Sequence, residues 1–226
     1  MGEPRDVTDR PSFDPRLYLI LDPRQCRGRA LAEIAAAAAK GGATLVQYRA
    51  KDLGTRQMVS DAREIRSALA PFAVPLLIND RVDVALAAGT EGVHLGQTDM
   101  SPDDARRLLG PGAVIGLTAR SLEEVEAAPI KLIDYISIGG VFATRSKDNP
   151  DPPIGLEGLR RIAGRAAALS DLPRTAISGI DARNCRAVIE AGVGGIAVIS
   201  AICAAADPEQ AAADLRRRVD AALDLG

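Results

Sequence analysis

The chain has 226 residues, 47% of them hydrophobic, and a formal net charge of −2. That length allows one or two domains with a sizeable core, and the near-neutral charge with 3% aromatic residues and no Trp argues against a basic nucleic-acid surface or a base-stacking platform. No apolar run approaches the ~18 residues of a membrane span, and the three scattered cysteines and the single His94 exclude a disulfide framework and a multi-histidine metal centre.

In chain order, residues 1–15 are polar and Pro-rich and are expected as a flexible tail without the apolar stretch of a signal peptide. A first strand is expected at 17–21 (LYLIL), then an Ala-rich helix at 28–40 stopped by Gly41-Gly42. Strand 43–48 precedes a helix at 55–70 with Thr55 at its N-cap, and strand 76–78 precedes a helix at 81–88. Strand 92–95 leads to helix 101–109, with Ser101 at the N-cap and Pro102 in the first turn. Strand 113–117 leads to helix 121–127, opened by the capping box SLEE. The remaining pairs are 133–138 with 156–168, 175–178 with 181–191, and 195–199 with 207–223.

Eight strand–helix units with short Val- and Ile-rich strands predict a parallel sheet covered by helices. Over roughly 210 residues they predict one (β/α)8 TIM barrel in residues 16–226. An open doubly wound sheet is the alternative, but the turn after the first strand, Asp22-Pro23-Arg24-Gln25, lacks the glycine fingerprint such folds use.

A barrel of this type places its site at the carboxyl ends of the strands. Gln47, Arg49 and Lys51 alternate there and form a polar, cationic wall. The chain has 24 Arg and only four Lys, and two of the four, Lys51 and Lys147, fall near these ends. Asp80 and Asp99 follow adjacent strands and suit Mg2+, which takes one or two carboxylates alongside phosphate and water; helix capping is the equal alternative for Asp80. Lys147 lies in a long Gly/Thr/Ser loop of the kind that binds ligands. Ser178, Gly179 and Ser200 follow the last two strands, where barrels commonly hold phosphate on backbone amides. His94 has two readings, contact with substrate or a hydrogen bond within the mouth, and the second is favoured because no partner acid is evident in the sequence. No Ser or Cys nucleophile with a His base is visible, nor a glycosidase-type carboxylate pair. Mg2+ and cations around one anionic subsite, with a monophosphate subsite beside it, suit departure of a diphosphate.

The segments GATLVQYRAKD (42–52), LINDR (77–81), GVHLGQTD (92–99), TRSK (144–147), ISGI (177–180) and VIS (198–200) together resemble the thiamine-phosphate synthase family. The resemblance runs from about residue 17 to 205. It implies a TIM barrel that couples 4-amino-5-hydroxymethyl-2-methylpyrimidine diphosphate to a thiazole phosphate or its carboxylate. The products would be thiamine phosphate and diphosphate. By this resemblance Gln47, Arg49, Lys51, Asn79, Thr118 and Lys147 hold the pyrimidine diphosphate. Asp80 and Asp99 bind Mg2+, and Thr144, Ser146, Gly179, Ile199 and Ser200 hold the thiazole phosphate. Arg49, Lys51 and Lys147 neutralise the departing diphosphate in a dissociative reaction that needs no general base. Four positions depart from the family pattern: Ala50 stands where an acidic residue is usual, Thr118 for Ser, Ser146 for Thr, and Ser178 for Gly.

The expected setting is the cytoplasm, with small-molecule substrates, no nucleic acid and no membrane, and a homo-oligomer is compatible with it. Two other readings use the same residues: a relative that isomerises the thiazole precursor, and a catalytically inactive barrel that binds a phosphate ligand. Retention of Gln47, Arg49, Lys51, Asn79, Asp80, Asp99 and Lys147 counts against both.

Overall fold

The eight short apolar runs pair in parallel, each with the next in sequence, and the first with the last. The computed structural model describes residues 13–146 and 152–224, so most of the expected tail lies outside the described residues. The strands are β1 (Leu17–Leu21), β2 (Leu45–Tyr48), β3 (Leu76–Asn79), β4 (Gly92–Leu95), β5 (Val114–Ala119), β6 (Tyr135–Ile138), β7 (Arg174–Ile177) and β8 (Gly195–Val198). They close into a barrel in sequence order, with β1 paired to β8 through Leu17 opposite Ile196. The helices are α1 (Leu31–Lys40), α2 (Thr55–Leu69), α3 (Val82–Ala88), α4 (Pro102–Leu109), α5 (Leu122–Glu126), α6 (Gly155–Leu169), α7 (Cys185–Ile189), α8 (Ser200–Cys203) and α9 (Pro208–Leu223). Among the described residues no helix is long and apolar enough to cross a membrane.

Alternation along each strand splits the interior into two cores. Outward-facing residues such as Leu19, Val46, Ile78 and Val93 pack with the helices. Inward-facing Tyr18, Ile20, Leu45, Leu77, Val114, Tyr135, Ile177, Ala197 and Ile199 fill the lumen. The lumen has a size constraint at Gly116, which lies opposite Tyr135 in register. A Cβ there would stand 2.1 Å from the Tyr135 ring, so only glycine leaves room for it.

Several helix starts differ from the sequence expectation for identifiable reasons. The expected helix at 28–40 begins at Leu31, because Arg27 (φ 54°) and Gly28 (φ 76°) are left-handed. Gly54, not Thr55, is the N-cap of α2; the Thr55 hydroxyl instead accepts a hydrogen bond from Arg81 at 2.8 Å. The expected helix at 181–191 shrinks to α7, because the Asn184 side chain accepts from the Asp181 N–H (2.9 Å) and shapes a turn. The caps at Ser101 and Ser121 form as expected, accepting from the N–H groups of Asp104 and Glu124. The reciprocal bond of the capping box is displaced by one position: the Glu124 carboxylate accepts from the Arg120 N–H, at 2.6 Å.

Candidate active site

The carboxyl ends of β1 to β4 gather alternating charges. Arg49, just beyond β2, reaches across to Asp22, just beyond β1, at 2.5 Å; the Asp22 side chain is 1% exposed and that of Arg49 12%. Asp22 also accepts from the Arg24 N–H at 3.0 Å, which fixes its carboxylate at the head of a short 3-10 turn. Two residues on, the Lys51 ammonium donates to the Asp80 carboxylate. Asp80 follows β3 with a left-handed backbone (φ 61°), and its N–H donates to the His94 carbonyl at 2.9 Å. The N-cap of α3 is Arg81, so Asp80 does not cap that helix. Its carboxyl is pushed above the usual carboxylate range, first by burial and then by hydrogen bonding to the neighbouring Asp99 carboxyl, with Lys51 opposing. Asp99 is itself anchored by the Gly96 N–H at 2.7 Å.

Two crowded carboxyls, one of them disfavoured as an anion, are an oxygen-only donor set that a hard divalent cation would relieve. The residues present therefore fit Mg2+, although no cluster of three or more His, Cys, Asp or Glu occurs among the described residues. Asn79 ends β3 opposite His94 and is half-buried beside this group.

The other half of the mouth is an open cleft of about 480 Å3 whose lining includes Thr144, Ser146, Ser178, Gly179, Ile199 and Ser200. Arg27, Arg145, Arg183 and Asp181 also line it; Asp181 pairs with Arg183 at 2.5 Å, so the surplus charge of the cleft is positive. Ser146 and Ser200 meet through their hydroxyls at 3.0 Å, joining the loop after β6 to the start of α8. Ser178 (φ 94°) and Gly179 (φ 66°) turn the chain sharply after β7. At Gly179 the left-handed backbone coincides with lack of space, since a Cβ would lie 2.6 Å from the Ala143 carbonyl oxygen.

Across the lumen beneath the first half runs a line of buried hydrogen bonds. The Gln47 amide donates to the Tyr18 hydroxyl, which lies 2.8 Å from that of Tyr135. Tyr135 lies 2.7 Å from Nδ1 of His94, whose Nε2 lies 2.7 Å from the Thr118 hydroxyl. Burial pushes both phenols well above their ordinary pKa, so both keep their protons.

The sequence profile of thiamine monophosphate synthases matches residues 17–202. The chain belongs to that family. It is 48% identical over 206 residues to a thiamine-phosphate synthase of Albidiferax ferrireducens, covering 91% of this chain and 92% of the relative. It is 49% identical over 211 residues to a thiamine-phosphate synthase of Agrobacterium fabrum, covering 93% and 96%. Among solved structures it superposes on a thiamine phosphate pyrophosphorylase from Pyrococcus furiosus with a TM-score of 0.80 and 38% identity, over 92% of this chain and 96% of that one.

Of the residues expected from the family, Gln47, Arg49, Lys51, Asn79, Asp80, Asp99 and Thr118 lie on one half of the mouth. Thr144, Ser146, Gly179, Ile199 and Ser200 lie on the other. Lys147 lies outside the described residues. His94 bonds within the mouth as anticipated. The structure adds Asp22, Tyr18 and Tyr135, which sequence reasoning missed. Asp22 has a readable signal, an Asp-Pro pair at the end of the first strand. The two tyrosines sit inside apolar runs and read there as ordinary core.

Proposed function

We propose that this chain couples 4-amino-5-hydroxymethyl-2-methylpyrimidine diphosphate to a thiazole phosphate, or its carboxylate, with Mg2+, releasing thiamine phosphate and diphosphate and, from the carboxylate, carbon dioxide as well. Membership of the family supports the activity. The observation that carries the geometry is the pairing of Lys51 with Asp80 beside Asp99, facing a separate cationic cleft in the same mouth. One half offers cations and metal-type carboxylates for a diphosphate; the other offers hydroxyls and backbone amides for a monophosphate.

Asp80 and Asp99 would hold Mg2+, which when bound neutralises diphosphate oxygens and improves the leaving group. Arg49 and Lys51 supply further positive charge, each held in place by a carboxylate, so little reorganisation is needed when charge develops. Lys147 completes this set. Asn79, Gln47 and Thr118 orient the pyrimidine. Its C–O bond breaks first, the bonding pair leaving with the diphosphate, and the electron-rich aminopyrimidine stabilises the resulting cation. Thr144, Ser146, Gly179, Ile199 and Ser200 hold the thiazole phosphate so that its ring nitrogen captures that cation. The nitrogen lone pair forms the new bond and no proton has to be removed, consistent with a site whose His94 is engaged on both ring nitrogens. The dominant contributions are positioning and electrostatics. The cytoplasm belongs to the same reading.

An isomerase of the thiazole precursor, or a phosphate-binding barrel, would have no use for the diphosphate half. Titration calorimetry with inorganic diphosphate separates the readings. Binding that appears only with Mg2+ and is lost with EDTA supports coupling; phosphate-only binding indifferent to Mg2+ would turn the assignment to the other two.

A further inference from the structure

The buried line from Gln47 to Thr118 has a direction, and each link forces the next. The Gln47 amide nitrogen can only donate, so the Tyr18 oxygen accepts. Among the described residues the Tyr18 hydroxyl meets only Gln47 and Tyr135. Its single proton must go to Tyr135 or remain buried without an acceptor, which folded proteins avoid. Tyr135 then has its oxygen occupied and its own proton to place, and the acceptor in reach is Nδ1 of His94 at 2.7 Å. An imidazole that accepts at Nδ1 is neutral and carries its proton on Nε2. That N–H donates to the Thr118 oxygen at 2.7 Å. The Thr118 proton is thereby turned away from His94. At the far end, Gln47 has its nitrogen turned to Tyr18 and so its carbonyl oxygen turned away from it.

We propose that Tyr18, Tyr135 and His94 are positioning residues that fix the hydrogen-bond sense of the two groups at the ends of their chain. Thr118 becomes a donor and Gln47 an acceptor. This deepens the coupling reading and rests on it for the identity of the ligand. The pair matches an aromatic ring with an acceptor nitrogen and a donor amino group, as in a 4-aminopyrimidine, and disfavours an oxo-substituted ring that presents the opposite pattern. Two features show that the chain is built into the lumen. Gly116 is side-chain-free where the Tyr135 ring needs the space. The Tyr135 ring also stacks on His94 with centroids 5.6 Å apart and meets Tyr18 edge-on at 5.9 Å.

His94 is the only histidine in the chain, which makes the inference readable without assignment. The experiment is a long-range 1H–15N correlation spectrum of 15N-histidine-labelled protein at pH 7, followed by the same spectrum and steady-state kinetics of Tyr135→Phe. The wild type should show the neutral Nε2–H tautomer. Tyr135→Phe should show a mixture of tautomers, an approximately tenfold higher KM for the pyrimidine diphosphate and an unchanged KM for the thiazole phosphate. His94→Gln, which keeps an N–H for Thr118, should recover activity that His94→Leu lacks. An Nδ1–H tautomer or an imidazolium in the wild type overturns the proposal, and so does a Tyr135→Phe variant that raises both KM values alike or neither. The wild-type spectrum requires neither turnover nor a folded variant. An Nε2–H signal from a protein without coupling activity would count against the coupling reading and leave the hydrogen-bond sense standing.

Discussion

Gly116→Ala tests whether the lumen is built around the Tyr135 ring. The added Cβ would stand 2.1 Å from Cζ of Tyr135 and 2.3 Å from its Cε1 and hydroxyl oxygen. Ordinary non-bonded carbon contacts begin near about 3.5 Å, so the ring must recede by about 1.4 Å. Its hydroxyl is 2.8 Å from Tyr18 and 2.7 Å from His94, and a shift of that size takes both beyond hydrogen-bond length. Two such bonds contribute about 0.5–1.5 kcal/mol each, and overpacking costs about 1–3 kcal/mol. Replacing a strand glycine returns up to about 1 kcal/mol of that. The net loss is about 3 kcal/mol, which for a chain of this size lowers Tm by about 6–12 °C. Scanning calorimetry on a double-mutant cycle with Tyr135→Val isolates the cause, because Val lacks every clashing atom. Gly116→Ala should be close to neutral on that background. Equal costs on both backgrounds, or no cost in the wild type, would refute the reasoning.

Three further substitutions probe the two halves of the mouth. Lys147→Ala should lower kcat by about 100-fold or more while thermal unfolding is unchanged, because in the proposed reaction it removes a charge that acts on the leaving group; a near-normal rate would remove Lys147 from the reaction. Asp80→Asn should raise the Mg2+ concentration needed for half-maximal rate, since the proposed site would lose one anionic ligand, and an unchanged Mg2+ titration would contradict the metal role. Gly179→Ala combines a left-handed backbone with a Cβ 2.6 Å from the Ala143 oxygen. It should raise KM for the thiazole phosphate well above any change for the pyrimidine diphosphate, and lower stability by about 1–3 kcal/mol; equal effects on both KM values would show that the cleft does not hold the thiazole phosphate.

The barrel is legible in the sequence because its strands are buried on both faces and its connections are short, so apolar runs and Gly/Pro breaks alternate at a fixed rhythm. The polar residues are legible because they sit just past the strands, where a packed core has no use for Asp80, Asp99 or Lys51. Details set by side-chain competition are not legible. The Asp80 carboxylate could be expected on a helix cap or on a metal, and the left-handed turn that hands it to Lys51 has no sequence marker other than the site itself. Tyr18 and Tyr135 lie 117 positions apart in runs that read as core. Only barrel closure and strand register bring them together over Gly116. Asp22 belongs to the mouth by the same strand-end rule that finds the others, and its buried carboxylate pairs with Arg49.

The most direct test of the coupling activity is a component-omission assay. Purified protein, Mg2+, the pyrimidine diphosphate and the thiazole phosphate are incubated together, and thiamine phosphate is measured as its fluorescent oxidation product. Coupling predicts product only when both substrates and Mg2+ are present, with EDTA abolishing it. Absence of product from the complete mixture, in a protein that still binds the thiazole phosphate, would contradict it and would make Ala50, the departure from the family pattern beside Arg49 and Lys51, the first position to restore to an acidic residue.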